Sequence, residues 1–304
     1  MSFNFTPKQQ TEMVNRFGKT FMESIPERIA EYSELWNLSD FSLIEYYAAN
    51  CLFRCRSPVF GNCVLKIYSY RYDWYISEIR MLRVFDGKCG YVRVYEYDET
   101  GGVILMEQIE PGMVLTCEPN IDRRIEIFAD VWQNAHMDGI DLSQYRTYVQ
   151  VCEDTATWKN AHAAVPKLGG VAREMISVCH DLFKRYPERL LLSGDMYGDN
   201  LLQNSTGGYT IIDPHAKIGP KIMDMGRFIA NEYDDAGNGN RESVTEYVIK
   251  RLSELTGLPE SDIVKVFFID MTLITCAEAE DENSNISGVL YAQSLCTTSS
   301  LYQS

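Results

Sequence analysis

Three residues between positions 195 and 213 have the types and the spacing that phosphoryl transfer needs. Asp195 and Asn200 are five residues apart in SGDMYGDN, which is the D-x-x-x-x-N spacing of a phosphate-transferring loop, and Asp213 ends the run TIID. Such a reaction needs an acceptor for the substrate's proton and oxygen ligands for a metal ion on the phosphates. Mg²⁺ takes only one or two protein carboxylates, which suits Asn200 and Asp213. A solvated turn is the alternative, but the strand that delivers Asp213 favours an active site.

A lysine and a glutamate upstream could complete this set. Lys66 lies in the apolar, strand-like run VLKIY, where its amine would contact the α- and β-phosphates. Glu78 follows 12 residues later on a predicted helix and could pair with Lys66. An edge-strand lysine and a surface glutamate remain the alternatives.

Hydrophobic periodicity predicts the elements that must carry these residues. Residues 7–36 have helical spacing, and Pro26 is expected to divide them into two helices. Three strands are predicted within 42–70, a helix over 73–85 and a hairpin over 91–109. Beyond Pro111-Gly112 the patterns are helical over 120–138, 170–186, 241–256 and 260–280, interrupted by a β-like island at 190–213.

This order of elements predicts an α+β, protein-kinase-like fold with two lobes. The smaller, β-rich lobe spans residues 1–108, includes the N-terminal helical extension and would bind nucleotide. The larger, mainly helical lobe spans residues 109–304 and would hold the catalytic loop and the acceptor pocket. The strand–helix alternation of a Rossmann sheet is absent, and neither G-x-G-x-x-G nor G-x-x-x-x-G-K-[ST] occurs, which excludes a P-loop.

Composition narrows the choice of partners. The 304 residues include 28 Lys and Arg against 43 Asp and Glu, a formal net charge of −15. That balance argues against a nucleic-acid-binding or polybasic membrane surface and favours cationic partners. No run of 18 apolar residues occurs, so we expect no membrane span. The start has no signal-like pattern and the cysteine count of nine is odd, so we expect a cytoplasmic protein with reduced thiols. We expect a monomer or a dimer.

The segment SGDMYGDNLL … TIIDPHAKIGPKIMDMGRF resembles the aminoglycoside phosphotransferase family. Its signature is H-G-D-x-x-x-x-N followed by a strand ending in I-D. The pattern IDP-x-x-x-x-G-x-x-x-x-D, from Asp213 to Asp224, is most similar to the streptomycin 6-kinase and hydroxyurea kinase branch. The resemblance covers residues 40–230 in order and is strongest over 193–227.

The resemblance implies transfer of a phosphoryl group from ATP, or GTP, with Mg²⁺ to the hydroxyl of a small molecule, such as an aminoglycoside-like antibiotic. It implies Asp195 as the base, Asn200 and Asp213 as metal ligands, and Asp224 as a brace for the catalytic loop. Lys66 and Glu78 would position the phosphates. The backbone of the hinge that reads the adenine would be formed by Met106, Glu107, Gln108 and Ile109.

The acceptor pocket of the family lies in the C-terminal helices and the loops before them. Carboxylates there would bind a cationic acceptor by charge-assisted hydrogen bonds, although a solvated acidic surface is the alternative. The candidates in this chain are Glu232, Asp234, Asp235, Glu278 and Asp281.

Three departures from the family pattern bear on activity. Ser193 stands where the family has His, the expected phosphate-covering loop AANCLFRCRS has no glycine before Gly61, and DPH stands where protein kinases have DFG. His136 is expected to be a packed histidine, and His215 could contact the site. Two alternatives remain, a kinase of another hydroxylated metabolite and a non-catalytic nucleotide-binding protein.

Overall fold

A computed structural model describes residues 3–45, 50–69, 75–157, 166–237, 239–279 and 284–301. The chain forms two compact units. The first comprises Met1–Gly112 together with Asn204–Thr210, and the second comprises Met113–Gln203 together with Ile211–Ser304. As predicted, the N-terminal unit contains a β-sheet and the C-terminal unit is mainly helical.

The first unit contains a five-stranded antiparallel sheet in the order β1-β2-β3-β5-β4. Two helices precede the sheet, and a third follows β3. The elements are α1 Pro7–Phe17, α2 Lys19–Leu35, β1 Ser39–Ile44, β2 Asn50–Ser57, β3 Gly61–Tyr68, α3 Tyr75–Phe85, β4 Val94–Asp98 and β5 Val103–Glu107. The three predicted strands, the helix and the hairpin of this region are therefore all present.

The position of β3 in the sheet determines where Lys66 lies. β3 lies between β2 and β5, so its side chains have neighbours on both edges. Leu65 and Ile67 on β3 belong to the same buried apolar cluster as Ile25 and Ile29 of α2. Residues on successive positions of a strand point to opposite faces, so Lys66 projects away from that cluster.

The predicted break at Pro26 is wrong. The N-terminal helices separate at Gly18, which has φ +88°, and Pro26 lies inside α2. Glycine reaches positive φ without the steric cost of a Cβ atom, so it ends α1 readily. A proline removes one N–H donor and is tolerated inside a helix that is packed into a core, as α2 is through Ile25 and Ile29.

The predicted phosphate-covering loop is also mostly wrong. Within AANCLFRCRS, residues Asn50–Ser57 form strand β2, paired along its length with β3. The alternating Leu52, Phe53 and Arg54 fit a strand with one buried face. The two alanines that begin the segment lie outside the described residues.

The second unit contains seven α-helices in its described part. They are α4 Ile121–Asn134, α5 Tyr148–Thr155, α6 Pro166–Arg185, α7 Gly226–Asp235, α8 Arg241–Thr256, α9 Glu260–Glu278 and α10 Ser287–Leu301. Periodicity predicted α4, α6, α8 and α9 but missed α5, α7 and α10. No helix in the described part of the chain combines the length and apolarity needed to cross a membrane.

Short strands among these helices place the catalytic segment. β6 Arg146–Thr147, β10 Lys217–Gly219 and β7 Leu190–Leu192 form one sheet in that order, and β8 Leu201–Gln203 pairs with β9 Tyr209–Ile211. The predicted island at 190–213 therefore contains β7, β8 and β9. The residues between β7 and β8 form the turn that holds Asp195 and Asn200.

Candidate active site

Asp195 and Asn200 lie in one hydrogen-bonded turn. The chain leaves β7 through Gly194, whose φ of +67° favours glycine, and ends the turn with a short 3-10 helix at Gly198–Asn200. The Asn200 amide donates to the backbone oxygen of Asp195 at 2.9 Å and to its Oδ2 at 3.1 Å. Both side chains are buried, so the predicted base and amide are held together away from bulk water.

Asp213 follows directly after a backbone contact with this turn. The Ile212 N–H donates to the Asn200 carbonyl oxygen at 3.0 Å, which brings the end of β9 to Asn200. Asp213 has φ +54°, an uncommon conformation for a residue with a side chain and one that recurs at functional sites. The two predicted metal ligands are therefore brought together by the backbone.

The donor set fits Mg²⁺. Because the Asn200 amide nitrogen is committed to Asp195, its carbonyl oxygen is the atom left to face a cation. That oxygen and the Asp213 carboxylate are hard ligands, and Mg²⁺ completes its shell with water and phosphate oxygens. The described residues contain no cluster of three metal-binding His, Cys, Asp or Glu side chains, so an all-protein metal cage is not formed there.

Asp224 braces the start of the turn. Its carboxylate accepts hydrogen bonds from the backbone N–H groups of Ser193 at 3.1 Å and Gly194 at 2.7 Å. The His136 Nε2 lies 3.1 Å from the same carboxylate. His136 is thus packed, as expected, and its contact with Asp224 ties the segment that follows α4 to the turn.

Three basic side chains contact Asp195 or the residue before it. The Arg227 Nε lies 2.9 Å from Asp195 Oδ1, and its guanidinium lies 5.1 Å from the Tyr197 ring centroid. The His215 Nε2 lies 3.7 Å from Asp195 Oδ2, and burial lowers the pKa of His215 despite the nearby carboxylate. The Lys217 ammonium donates to the Gly194 carbonyl oxygen at 2.8 Å.

The first unit contains the predicted phosphate-positioning pair. Lys66 Nζ lies 2.6 Å from Glu78 Oε1, and both side chains are almost fully buried. Glu78 is in the first turn of α3, which points its side chain toward β3. Neither the edge-strand lysine nor the surface glutamate describes this geometry.

The four predicted hinge residues lie at the end of β5. Met106 and Glu107 are its last two residues and pair with Val64 and Cys63 of β3. Gln108 and Ile109 follow the strand and are partly buried. Their backbone therefore leaves the sheet at the end of β5, and adenine contact stays a prediction for these four residues.

The predicted acceptor carboxylates differ in their surroundings. Glu232 is only 2% exposed, and both of its oxygens accept hydrogen bonds from Arg124, at 2.8 and 2.6 Å. This carboxylate is committed to an internal ion pair. Asp234, Asp235 and Glu278 are exposed, and Asp281 lies outside the described residues.

The exposed acidic residues interact electrostatically with residues in and beside the turn that contains Asp195. Partial burial raises the pKa of Asp235, and the neighbouring carboxylates of Glu232 and Asp199 raise it further. Asp234 and Glu278 both lie within electrostatic range of Arg227. An acidic surface therefore borders the turn that contains Asp195.

Sequence reasoning missed Arg227, Arg124 and the contact of His136. Each acts on a partner far away in the chain: His136 is 88 residues from Asp224, and Arg124 is 108 residues from Glu232. Arg227 carried a weak signal, because it follows Asp224 by three residues within the segment that shows the family resemblance.

Fold and site together define a small-molecule kinase. The chain belongs to the aminoglycoside/hydroxyurea antibiotic resistance kinase family, whose model matches residues 61–271. It is therefore a phosphotransferase that acts on small-molecule hydroxyl groups. No curated protein is similar enough in sequence to match the chain.

Solved structures confirm the kinase-like fold. Choline kinase LicA from Streptococcus pneumoniae has a TM-score of 0.62 at 15% identity, with 93% of this chain and 100% of that chain covered. Aminoglycoside phosphotransferase APH(4)-Ia has a TM-score of 0.56 at 16% identity, covering 90% and 98%. A Plasmodium vivax ethanolamine kinase has a TM-score of 0.58 at 13% identity, covering 99% and 95%. At these identities the likeness concerns the fold alone.

Proposed function

We propose that this kinase transfers the γ-phosphoryl group of ATP to a hydroxyl of a cationic, aminoglycoside-like compound. The observation that carries the proposal is the turn in which Asn200 holds Asp195 and the backbone brings Asp213 alongside. One similar structure, a mutant of APH(4)-Ia, is a ternary complex with ADP and hygromycin B, which supports nucleotide and antibiotic as the substrate pair.

In the proposed reaction the acceptor oxygen bonds to the γ-phosphorus while the bond from that phosphorus to the β-phosphate oxygen breaks. ADP leaves, and the hydroxyl proton passes to the Asp195 carboxylate. Lys66, oriented by Glu78, would bind the α- and β-phosphates, and the Met106–Ile109 backbone would bind adenine.

Asn200 and Asp213 would hold Mg²⁺, which when bound neutralises charge on the phosphates. Asn200 has a second task in this scheme, because its amide nitrogen orients Asp195 while its carbonyl oxygen faces the metal. One residue would thus link the position of the base to that of the nucleotide.

The acceptor side is supported by charge. Asp234, Asp235 and Glu278 are exposed, and they lie within electrostatic range of residues beside Asp195. Carboxylates so placed favour an acceptor that carries ammonium groups. Glu232 contributes indirectly, since its pairing with Arg124 fixes α7.

The proposal is tested by measuring Mg²⁺-dependent ADP release with a panel of acceptors. The panel contains streptomycin, kanamycin-type and spectinomycin-type compounds, hydroxyurea, choline, ethanolamine and simple sugars, each with ATP and with GTP. We expect stimulation by one aminoglycoside-like compound and its loss in Asp195→Ala. Asp181→Ala is the matched control, because Asp181 is an exposed carboxylate on α6.

The panel also separates the alternatives. Stimulation by a neutral sugar or by choline alone would replace the aminoglycoside-like acceptor with another metabolite. Tight ATP binding without turnover of any compound would favour a non-catalytic nucleotide-binding protein. Absence of nucleotide binding would contradict the kinase proposal itself.

A further inference from the structure

Arg227 occupies a position that neither the sequence patterns nor the family resemblance assigned. It is the second residue of α7, and its guanidinium contacts two residues of the Asp195 turn. The Nε atom lies 2.9 Å from Asp195 Oδ1, and the guanidinium lies 5.1 Å from the Tyr197 ring. An arginine beside an aromatic face gains cation–π attraction in addition to its ion pair.

We propose that Arg227 is a positioning residue that fixes the orientation of the Asp195 carboxylate for attack by the acceptor hydroxyl. The inference rests on the proposed role of Asp195 as the base. The terminal torsion of an aspartate is broad, so a carboxylate held on one side only would sample many orientations. Here Asn200 holds Oδ2 and Arg227 lies against Oδ1, so the group is held from two sides.

The contact leaves Asp195 able to accept a proton. Arg227 Nε lies 2.9 Å from Oδ1, but its N–H makes no hydrogen bond, so this atom contributes an ion pair and not a directed N–H. The lone pairs of Oδ1 therefore stay available to a hydroxyl donor. A guanidinium is also charged at every working pH, so this restraint does not depend on titration.

The neighbouring cations are less suited to this role. The Lys217 ammonium is engaged with the Gly194 carbonyl oxygen. His215 is farther from Asp195, with its Nε2 atom 3.7 Å from Oδ2. Burial also acts against the charge of Arg227, but the carboxylates of Asp195 and Asp270 outweigh it and the pKa of Arg227 is raised.

The start of α7 is built to hold this side chain in place. A Cβ atom added at Gly226 would collide with the Asp270 carboxylate and would lie 2.5 Å from the Val266 carbonyl oxygen. Glycine at 226 therefore lets α7 begin directly against α9. That close packing sets the position from which Arg227 reaches Asp195.

The test compares the steady-state kinetics of Arg227→Met, Arg227→Lys and Arg227→Ala with those of the control Arg251→Met. Arg251 is a fair match because it lies in the same unit, pairs with carboxylates and has a side chain 27% exposed against 30% for Arg227. The acceptor is the compound found with the panel above, and thermal unfolding of each variant is recorded alongside.

We expect kcat of Arg227→Met to fall about 100-fold while KM for ATP stays unchanged, since misplacing a catalytic group costs about that much. Arg227→Lys should recover part of this loss. Added guanidinium chloride at millimolar concentration should restore part of the activity of Arg227→Ala and none to Asp195→Ala. A residue with a merely structural role would not respond to free guanidinium.

Each other result overturns the inference. Equal kcat in Arg227→Met and Arg251→Met would remove the positioning role while leaving the proposed function intact, provided that Asp195→Ala is inactive. A parallel loss of kcat and thermal stability, without recovery by lysine or guanidinium, would reduce Arg227 to a structural residue. If the wild-type protein phosphorylates no acceptor, the proposed function fails and this inference fails with it.

Discussion

The Lys66 ammonium lies 2.6 Å from a Glu78 carboxylate oxygen, and this pair is almost fully buried. A buried ion pair contributes little net stability, but removal of one partner leaves a charge in an apolar environment. Removal of one partner should therefore lower the free energy of unfolding more than removal of both. The pair also suits a lysine that must present its charge to phosphate groups at a fixed point.

Replacement of Glu78 by Met should lower the free energy of unfolding by about 3–5 kcal/mol, because the buried Lys66 charge loses the carboxylate it pairs with. The double variant Lys66→Met/Glu78→Met should recover most of that stability, since no charge remains buried. Its phosphotransferase activity should still be absent. Urea unfolding and ATP turnover measure the two effects, and recovery of activity in the double variant would contradict the phosphate-binding role.

Replacement of Asp224 by Asn should weaken the catalytic turn. An amide offers one oxygen in place of two, and its NH₂ group would face the backbone donors of Ser193 and Gly194. Hydrogen bonds to charged groups contribute about 1.5–3 kcal/mol each, so we expect a loss of that order in unfolding free energy. Activity should fall as well, because Asp195 follows Gly194 directly. Asp130→Asn, at an exposed site on α4, is the control and should behave as wild type.

Substitutions of Glu232 and Asp235 should have different effects, one on stability and the other on acceptor binding. Because Glu232 is buried against Arg124, Glu232→Gln should lower the free energy of unfolding by about 3–5 kcal/mol. Asp235→Asn should leave stability unchanged but raise KM for a cationic acceptor, because Asp235 is exposed. Thermal unfolding and acceptor titrations decide between these roles. An unchanged acceptor KM in Asp235→Asn would place the acceptor elsewhere.

Asp270 should make stability depend on pH. Burial raises its pKa to about 7, against an ordinary value of 3.8, and Lys217 and Arg227 only partly offset this effect. Between these values the folded protein binds a proton that the unfolded chain has released, so stability falls as pH rises and levels off above about pH 7. Asp270→Asn should therefore gain stability relative to wild type across this window. Denaturant unfolding at several pH values measures the difference, and parallel curves would contradict the buried carboxyl.

Asp213→Asn should weaken the metal requirement selectively. Asparagine tolerates the left-handed backbone of this position, so the variant should fold normally. It lacks the carboxylate charge, so it should need more Mg²⁺ for ADP binding while its affinity for ADP without metal stays the same. Calorimetric titrations with and without Mg²⁺ test this, with Asp181→Asn as the control. Equal loss with and without metal would place Asp213 outside the metal site.

Much of this architecture could be predicted because it depends on patterns of residues close together in the sequence. Alternating apolar residues marked the strands around Lys66, and five-residue spacing marked Asp195 and Asn200. The helix break at Gly18 was missed because a proline is a stronger local signal than a glycine, although packing of α2 overrides it. α5, α7 and α10 were missed as well.

Contacts between distant segments had no such signal. Arg124 meets Glu232 only after α4 and α7 pack together. His136, just after α4, meets Asp224, just before α7, only in the folded chain. Periodicity reports which face of an element is buried, not which partner it finds. Arg227 could have been suspected from its place after Asp224, but its contact with Asp195 depends on how closely α7 approaches α9.

The manner in which Asp224 holds the catalytic turn explains how Ser193 can stand where the family has histidine. The Asp224 carboxylate accepts hydrogen bonds from main-chain N–H groups, which every residue except proline has. The Ser193 hydroxyl, which is buried, makes no hydrogen bond. The attachment of the turn therefore does not depend on which side chain stands at position 193. Serine can replace histidine there while Asp195 keeps its position.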